Sequence, residues 1–299
     1  MKINVGIVGI GNLGTALIKY LKNNQNFNLV ATFSRRNIKN TIPYTNILDY
    51  KEKIDLLFLC VGSQNDLEPT ANELVKHFNL IESYDNHRQL EKHIKNMHKL
   101  AKNNNKVVLC SIGWDPGLFS LIRAIFSSIG FKPHTFWGKG TSQGHTQAIK
   151  QINGVVDAVQ FTIPNKKSIN KIKNGKTPPN KNFHKRICYV NCLKQDRKRI
   201  KETIINMPDY FKDYKTKVHF ISQQKLNKIK SFSHKGIVLT ESNTMNFSLN
   251  LKSNPDFTAK VLIAYANSYK TLKEKKMFGA HTIFDIPLSY IIDNKYEFL

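Results

Sequence analysis

The run Ile3 to Val8 is largely apolar, and Leu29 to Phe33, Leu56 to Cys60, Leu80 to Tyr84 and Val107 to Ser111 repeat the pattern along the first third of the chain. Short apolar runs bounded by turn residues read as buried strands. Between the first two, Leu13, Ala16, Leu17, Tyr20 and Leu21 fall at helical spacing, and a second helical pattern spans His87 to Lys102. Strands that alternate with helices predict a parallel sheet with crossover helices on its faces.

After Trp114-Asp115-Pro116-Gly117 the pattern changes. Longer strand-like runs follow at Val155 to Ile163, Arg186 to Cys192, Val218 to Ile221, Ile237 to Thr240 and Met245 to Leu251, with helical patterns at Thr146 to Ile152 and Arg197 to Asn206. They predict an α+β domain whose open mixed or antiparallel sheet is covered by helices on one face. Asn165 to Asn182 is polar, carries Pro178-Pro179, and reads as a long surface loop. Asn254-Pro255-Asp256-Phe257 reads as a helix entry, since Asn caps and Pro suits the first helical position. A helix through about Lys273, with Ala259, Leu262, Ile263, Ala266 and Tyr269 on one face, is expected to return to the first domain.

Gly9-Ile10-Gly11-Asn12-Leu13-Gly14 lies between the first strand and the first helix, the context that gives a G-x-G-x-x-G pattern its meaning. The first glycine allows the tight turn, the second lets backbone N–H groups approach a pyrophosphate, and the third lets helix and strand pack closely. Gly9, Gly11, Asn12, Leu13 and Gly14 are therefore candidate cofactor residues on a Rossmann-type doubly wound domain. Where a carboxylate would hold the ribose 2′-hydroxyl of NAD, the second strand ends in Ser34-Arg35-Arg36. A guanidinium pairs with a 2′-phosphate and a carboxylate repels it, so the expected cofactor is NADP. Gly62 and Ser63, just beyond the third strand, are expected to line the same crevice. The domains so read are 1–117 for dinucleotide binding, 118–253 for substrate binding and dimerisation, and 254–299 as a C-terminal helix and tail.

Composition narrows the class. The chain has 299 residues, 40% hydrophobic and 22% charged, long enough for two cores. No stretch is long and apolar enough for a bilayer span, and the glycine-interrupted N-terminus lacks a cleavage signal, so a cytoplasmic protein without a membrane partner is expected. Cys60, Cys110, Cys188 and Cys192 form no C-x-x-C pair and no metal set, which points to a reducing compartment and no metal. The formal charge of +25 is the unusual bulk property. Its lysines are scattered, as in Lys166 to Lys185 and Lys270 to Lys276, without base-stacking aromatics, so no nucleic-acid partner is expected.

Unusual residues gather at strand ends and in loops: Tyr84-Asp85-Asn86-His87-Arg88, Gly113 to Gly117, Phe136-Trp137-Gly138, Ser142-Gln143-Gly144-His145 and His184-Lys185-Arg186. Ligands of open α/β sheets bind beyond the carboxyl ends of strands, so Asp85 and Asp115 would offer carboxylates to an ammonium group and to its proton. With the fingerprint, Phe33 to Arg36, His134 to Gly138, Met207 to Phe211 and Asn254 to Thr258, these motifs resemble the meso-diaminopimelate dehydrogenase family along nearly the whole chain.

The resemblance implies a homodimer that reversibly deaminates the D-centre of meso-2,6-diaminopimelate with NADP, giving L-2-amino-6-oxopimelate, which cyclises to tetrahydrodipicolinate. It implies Asp85, Trp114, Asp115 and Trp137 around the reacting centre, with Gln143 and Gly144 at its carboxylate. Thr162, Arg186, His234 and Asn254 are implied as anchors of the distant L-centre. Whether Asp115, Asp85, His145 or water takes the proton stays open. A dihydrodipicolinate reductase, or another NADP-linked amino- or imino-acid dehydrogenase, would share the two-domain plan, and substrate-dependent NADP reduction separates them. A non-catalytic, basic nucleic-acid-binding protein would instead show salt-sensitive retention on DNA or RNA and no NADPH binding.

Overall fold

The computed structural model describes Lys2 to Phe298 except Gln64, Asp209, Phe232 and Asp293, so Asp209 of the Met207 to Phe211 motif lies outside the described residues. The chain divides into two compact units, Met1–Leu121 with Pro255–Leu299, and Ile122–Asn254. In chain order the elements run β1 (Ile3–Val8), α1 (Asn12–Leu21), β2 (Phe27–Ser34), β3 (Ile42–Pro43), β4 (Leu56–Leu59), α2 (Leu67–Leu74), β5 (Asn79–Glu82), α3 (Leu90–Asn103) and β6 (Val107–Leu109). There follow α4 (Leu118–Ser128), β7 (Pro133–Trp137), β8 (Gly140–Thr141), α5 (Gln143–Lys150), β9 (Val155–Pro164), α6 (Lys166–Lys173), β10 (His184–Cys192), α7 (Arg197–Asn206) and β11 (Lys215–Phe220). The last are α8 (Gln223–Ile229), β12 (His234–Thr240), β13 (Asn246–Leu251), α9 (Asn254–Ala266), α10 (Tyr269–Glu274) and β14 (Gly279–His281).

In the first unit seven strands pair in the order β14-β6-β5-β4-β1-β2-β3, all parallel. Alternation along each strand splits the core between the two faces. Leu56 and Phe58 of β4 pack with Ala16, Leu17 and Leu21 of α1 and with Ala259, Leu262 and Ala266 of α9. Leu57 and Leu59 pack with Leu67, Ala71 and Leu74 of α2 and with Met97 and Ala101 of α3. The strand order reverses between β1 and β4, and ligands of doubly wound sheets sit at that switch point, beyond the carboxyl ends of the strands.

In the second unit, where the pattern predicts one open sheet, the strands divide into a mixed ladder β11-β10-β9-β8 and an antiparallel ladder β13-β12-β7. Gly138 turns the chain from β7 to β8 at φ +105°, and a Cβ there would lie 2.1 Å from the Thr162 carbonyl oxygen. Behind β10, Cys188 and Val190 meet Ile200 and Ile204 of α7. The fold class is as the pattern predicts, a Rossmann-type parallel sheet with a second α+β unit.

Two local expectations need correction. Asn165 to Asn182 is not a loop throughout: Asn165 accepts the Lys167 N–H at 3.1 Å as an N-cap, and α6 buries Ile172 and Ser168 beneath its lysines. The helix expected from Asn254 to Lys273 is broken after Ala266, where Ser268 donates its hydroxyl to the Tyr265 carbonyl at 2.6 Å. Both pieces keep the predicted face buried, with Ala259, Leu262, Ala266 and Tyr269 in one core. Among the described residues no helix is long and apolar enough to cross a membrane.

Candidate active site

The turn from β1 into α1 has the geometry its glycines demand. Gly9 has φ +93°, and a Cβ there would meet the Cys60 carbonyl oxygen at 2.8 Å. A Cβ on Gly14 would lie 2.1 Å from the Gly9 carbonyl oxygen, whereas Gly11 has nothing within 4 Å. The amides of Asn12, Leu13 and Gly14 open α1 without intrahelical acceptors, and no acidic residue stands in that first turn. Open space before a helix N-terminus, with free N–H groups and no competing carboxylate, fits a pyrophosphate.

Ser34, Arg35 and Arg36 lie at the carboxyl end of β2. The Ser34 hydroxyl accepts the Arg36 N–H at 3.0 Å. Arg35 donates to the Thr70 hydroxyl at 2.8 Å, stands 3.6 Å from Asp66, and lies over the Tyr44 ring at 4.7 Å. The Arg36 guanidinium is exposed and has no ion pair among the described residues. The donor chemistry at this strand end therefore fits a phosphate on the adenosine ribose better than a bare hydroxyl.

Asp85 follows β5 by three residues and is partly buried. Burial pushes its carboxyl upward, and the Ser63 hydroxyl and the nearby His87 pull it back. Trp114 and Asp115 follow β6 in a tight turn, with a bridge between Trp114 and Gly117 and an edge contact from the Trp114 ring to Phe119 at 5.2 Å. Gly117 has φ +128°, and a Cβ there would fall 1.8 Å from the Gly113 carbonyl oxygen.

In the second unit, antiparallel register places Thr162 of β9 opposite Arg186 of β10, and on its other side opposite Gly140 of β8. Arg186 is 5% exposed, donates to the Thr162 hydroxyl, and lies over the Tyr214 ring at 4.3 Å. Gln160 also donates to the Thr162 oxygen at 3.4 Å, so that hydroxyl's own proton is left to donate elsewhere. The Arg186 Nε has no acceptor, and no carboxylate pairs with this guanidinium among the described residues. A buried cation without an anion is costly, which makes the site a ready receptor for one.

Around this pair, the backbone N–H of Trp137 donates to His184 Nε2 at 2.8 Å. Burial, then Arg186 and His234, push His184 down to about 3, so its ring is neutral. His234 shares its Nδ1 with the Lys235 carbonyl at 2.8 Å, which assigns the proton to Nδ1. Gln143 and Gly144 open α5 after Ser142, whose hydroxyl bonds His145 Nδ1 at 2.7 Å. Asn254, the first residue of α9, ends the second unit.

Residues 113–254 match the Diaminopimelic acid dehydrogenase C-terminal domain family. Over 97% of this chain and 94% of the relative, the sequence is 40% identical to the meso-diaminopimelate D-dehydrogenase of Acetivibrio thermocellus. The chain belongs to the meso-diaminopimelate D-dehydrogenase family. The Corynebacterium glutamicum member is 36% identical over 95% of this chain and 93% of its own. A structure of the C. glutamicum diaminopimelate dehydrogenase in complex with DAP superposes with a TM-score of 0.93 at 33% identity, covering 99% of this chain and 97% of that one. An engineered D-amino acid dehydrogenase bound to NADP+ superposes with a TM-score of 0.94 at 32% identity, covering 99% and 98%. The family assignment expected from the motifs is thus borne out, and with it the class of oxidoreductase.

Placed in this family fold, the predicted residues fall into two groups. In the first unit Gly9, Gly11, Arg35, Arg36, Gly62, Ser63, Asp85, Trp114 and Asp115 stand beyond strand ends, Asn12, Leu13 and Gly14 form the first turn of α1, and Ser34 closes β2, with Ser63 and Asp85 in hydrogen-bond contact. In the second unit Thr162 and Arg186 are directly bonded, and Arg186 and His234 both act on His184. No hydrogen bond joins Gln143 or Gly144 to that pair among the described residues. Sequence reasoning assigned no role to His184 or Tyr214. His184 stood in a quoted motif and so was within reach, whereas Tyr214 comes to Arg186 only through the pairing of β10 with β11.

Proposed function

We propose that this chain catalyses the NADP-dependent, reversible oxidative deamination of the D-centre of meso-2,6-diaminopimelate to L-2-amino-6-oxopimelate and ammonia, the product cyclising to L-tetrahydrodipicolinate. The observation that carries the substrate class is Arg186, a buried guanidinium whose Nε has no protein acceptor and which donates to the neighbouring Thr162 hydroxyl. Such a fork suits a carboxylate, and the substrate has two.

In this reading Arg186, Thr162, His234 and Asn254 hold the L-centre, and Trp114, Trp137, Gln143 and Gly144 frame the D-centre. Asp85 and Asp115 are the catalytic carboxylates. They attract the D-centre ammonium and draw its proton away, and the upward push that burial gives Asp85 brings its carboxyl nearer to that task. Gly9, Gly11, Asn12, Leu13 and Gly14 receive the pyrophosphate, Ser34, Arg35 and Arg36 the 2′-phosphate, and Gly62 and Ser63 line the crevice beyond. Bound NADP+ supplies the acceptor for the hydride of the D-centre Cα–H bond, and water then hydrolyses the imine to release ammonia.

A homodimer working in the cytoplasm belongs to the same proposal, with the second unit as its dimerisation domain. The test is NADP+ reduction by the purified chain. It should proceed with meso-diaminopimelate and fade with the LL isomer, which has no D-centre. Equal rates with both isomers, or none with the meso compound, would overturn the assignment.

A further inference from the structure

Glu82, the last residue of β5, is wholly buried, yet nothing in the cofactor or substrate roles above uses it. One carboxylate oxygen accepts the backbone N–H of Tyr84. The other accepts the backbone N–H of Ser111 at 3.1 Å and bonds His93 Nε2 at 3.0 Å. The Glu82 carbonyl takes the N–H of Ile112 at 2.9 Å. His93, 1% exposed on α3, stacks on the Tyr84 ring with centroids 4.1 Å apart.

Tyr84 and Ser111 are each the hinge of a loop that matters. Asp85 follows Tyr84 directly, and Ser111 begins the turn that leads through Gly113 to Trp114 and Asp115. Ser111 has φ +57°, a left-handed conformation that a non-glycine residue adopts only when its surroundings enforce it. At this position the Ser111 N–H is bonded to the Glu82 carboxylate and the next N–H, of Ile112, to the Glu82 carbonyl. We propose that Glu82, oriented by His93, is a positioning residue for the reaction, clamping together the two loops that carry Asp85 and Asp115. This rests on the function proposed above.

Glu82, His93 and Cys110 also present ligand atoms within 4.8 Å of one another, a spacing a cation would accept. Burial first, then Glu82, pushes the Cys110 thiol well above its ordinary value, so it stays protonated and donates to the carboxylate instead of ligating. Both Glu82 oxygens are already engaged by N–H groups, which makes the cluster a hydrogen-bonded anchor.

Small displacements of reacting groups by a distant substitution cost about a hundredfold in rate. The test compares wild type with Glu82→Gln, Glu82→Asp and His93→Gln in the full chain. NADPH binding is followed by nicotinamide fluorescence, and kcat and KM are measured with meso-diaminopimelate. Expected are a fall in kcat of about tenfold or more for Glu82→Gln and His93→Gln, partial recovery in the charge-keeping Glu82→Asp, and NADPH affinity within about threefold of wild type, because the glycine turn lies on another strand. Wild-type turnover in variants that bind NADPH normally overturns the proposal, and so does a loss of NADPH binding in step with turnover, which a merely structural group would give. If Glu82→Gln does not fold, His93→Gln decides on the same criteria. A wild type inactive on the meso compound removes the functional reading and the proposal together, whereas an active wild type matched by its variants overturns the clamp alone.

Discussion

Trp137 and His184 are joined twice, by a backbone N–H donated to His184 Nε2 at 2.8 Å and by stacked rings with centroids 4.9 Å apart. A nitrogen that accepts cannot also carry a proton, so this pairing requires neutral His184. Its pKa stands at about 3 against 6.5 for the free side chain. The unfolded chain then binds a proton that the folded chain refuses, and stability falls as pH drops below 6.5 toward 3, with no further gain above. Between pH 6.5 and 5 the loss amounts to about 2 kcal/mol. His184→Gln keeps an acceptor for Trp137 and removes the titration, so its Tm should decline less than that of wild type over this range. Parallel Tm curves would contradict the assignment.

Gly11 and Gly14 separate cofactor binding from folding. A Cβ on Gly14 would strike the Gly9 carbonyl at 2.1 Å, while one on Gly11 meets no protein atom within 4 Å. Gly14→Ala should therefore lower Tm sharply. Gly11→Ala should cost about 1 kcal/mol or less in stability, as a poorer N-cap, yet weaken NADPH markedly by filling the space proposed for the pyrophosphate. Unaltered NADPH affinity in Gly11→Ala would place the pyrophosphate elsewhere.

Arg35 is held by Thr70, Asp66 and Tyr44, whereas Arg36 is open. Charge-assisted bonds to a phosphate contribute roughly 1.5 to 3 kcal/mol. The double variant Arg35→Ala, Arg36→Ala should raise the Kd for NADPH by roughly ten- to a hundredfold while barely moving that for NADH. Equal losses for the two coenzymes would remove the 2′-phosphate from this site.

Much of the first unit was legible because buried strands leave a short-range signature. β1 and β4 appear as apolar runs, and the glycines of the β1–α1 turn are dictated by contacts a Cβ would violate. What escaped is whatever depends on register or on distant packing. Thr162 faces Arg186 because β9 and β10 pair antiparallel, and Tyr214 reaches the same guanidinium from a third segment. α6 was hidden because six of its eight residues are polar or charged and only Ile169 and Ile172 carry its apolar face. Glu82 and His93 look in sequence like a strand-end carboxylate and a surface-helix histidine, and only their mutual burial distinguishes them.

Arg186 without a protein anion should serve substrate binding at the expense of stability. Arg186→Ala is expected to raise KM for meso-diaminopimelate by roughly ten- to a hundredfold, the worth of a charged hydrogen-bonding anchor, with a smaller change in kcat. Steady-state kinetics decide: an unchanged KM would mean that this fork holds no substrate carboxylate.

Asp85 allows catalysis and stability to be set against each other. Burial raises its carboxyl above the ordinary 3.8, and the Ser63 hydroxyl only partly offsets that shift. A carboxyl whose pKa is raised on folding binds its proton more tightly in the folded chain, so stability falls as pH rises through that interval and the penalty persists at higher pH. Asp85→Asn removes the charge and keeps the shape. It should melt above wild type at pH 8, the difference closing in acid as the wild-type carboxyl protonates. The same change should lower kcat by about 100-fold or more, because an amide cannot take a proton from the D-centre ammonium. A variant that is less stable at pH 8 would show that the carboxylate is held by partners that favour its charge. One that is fully active would leave Asp115 as the catalytic carboxylate.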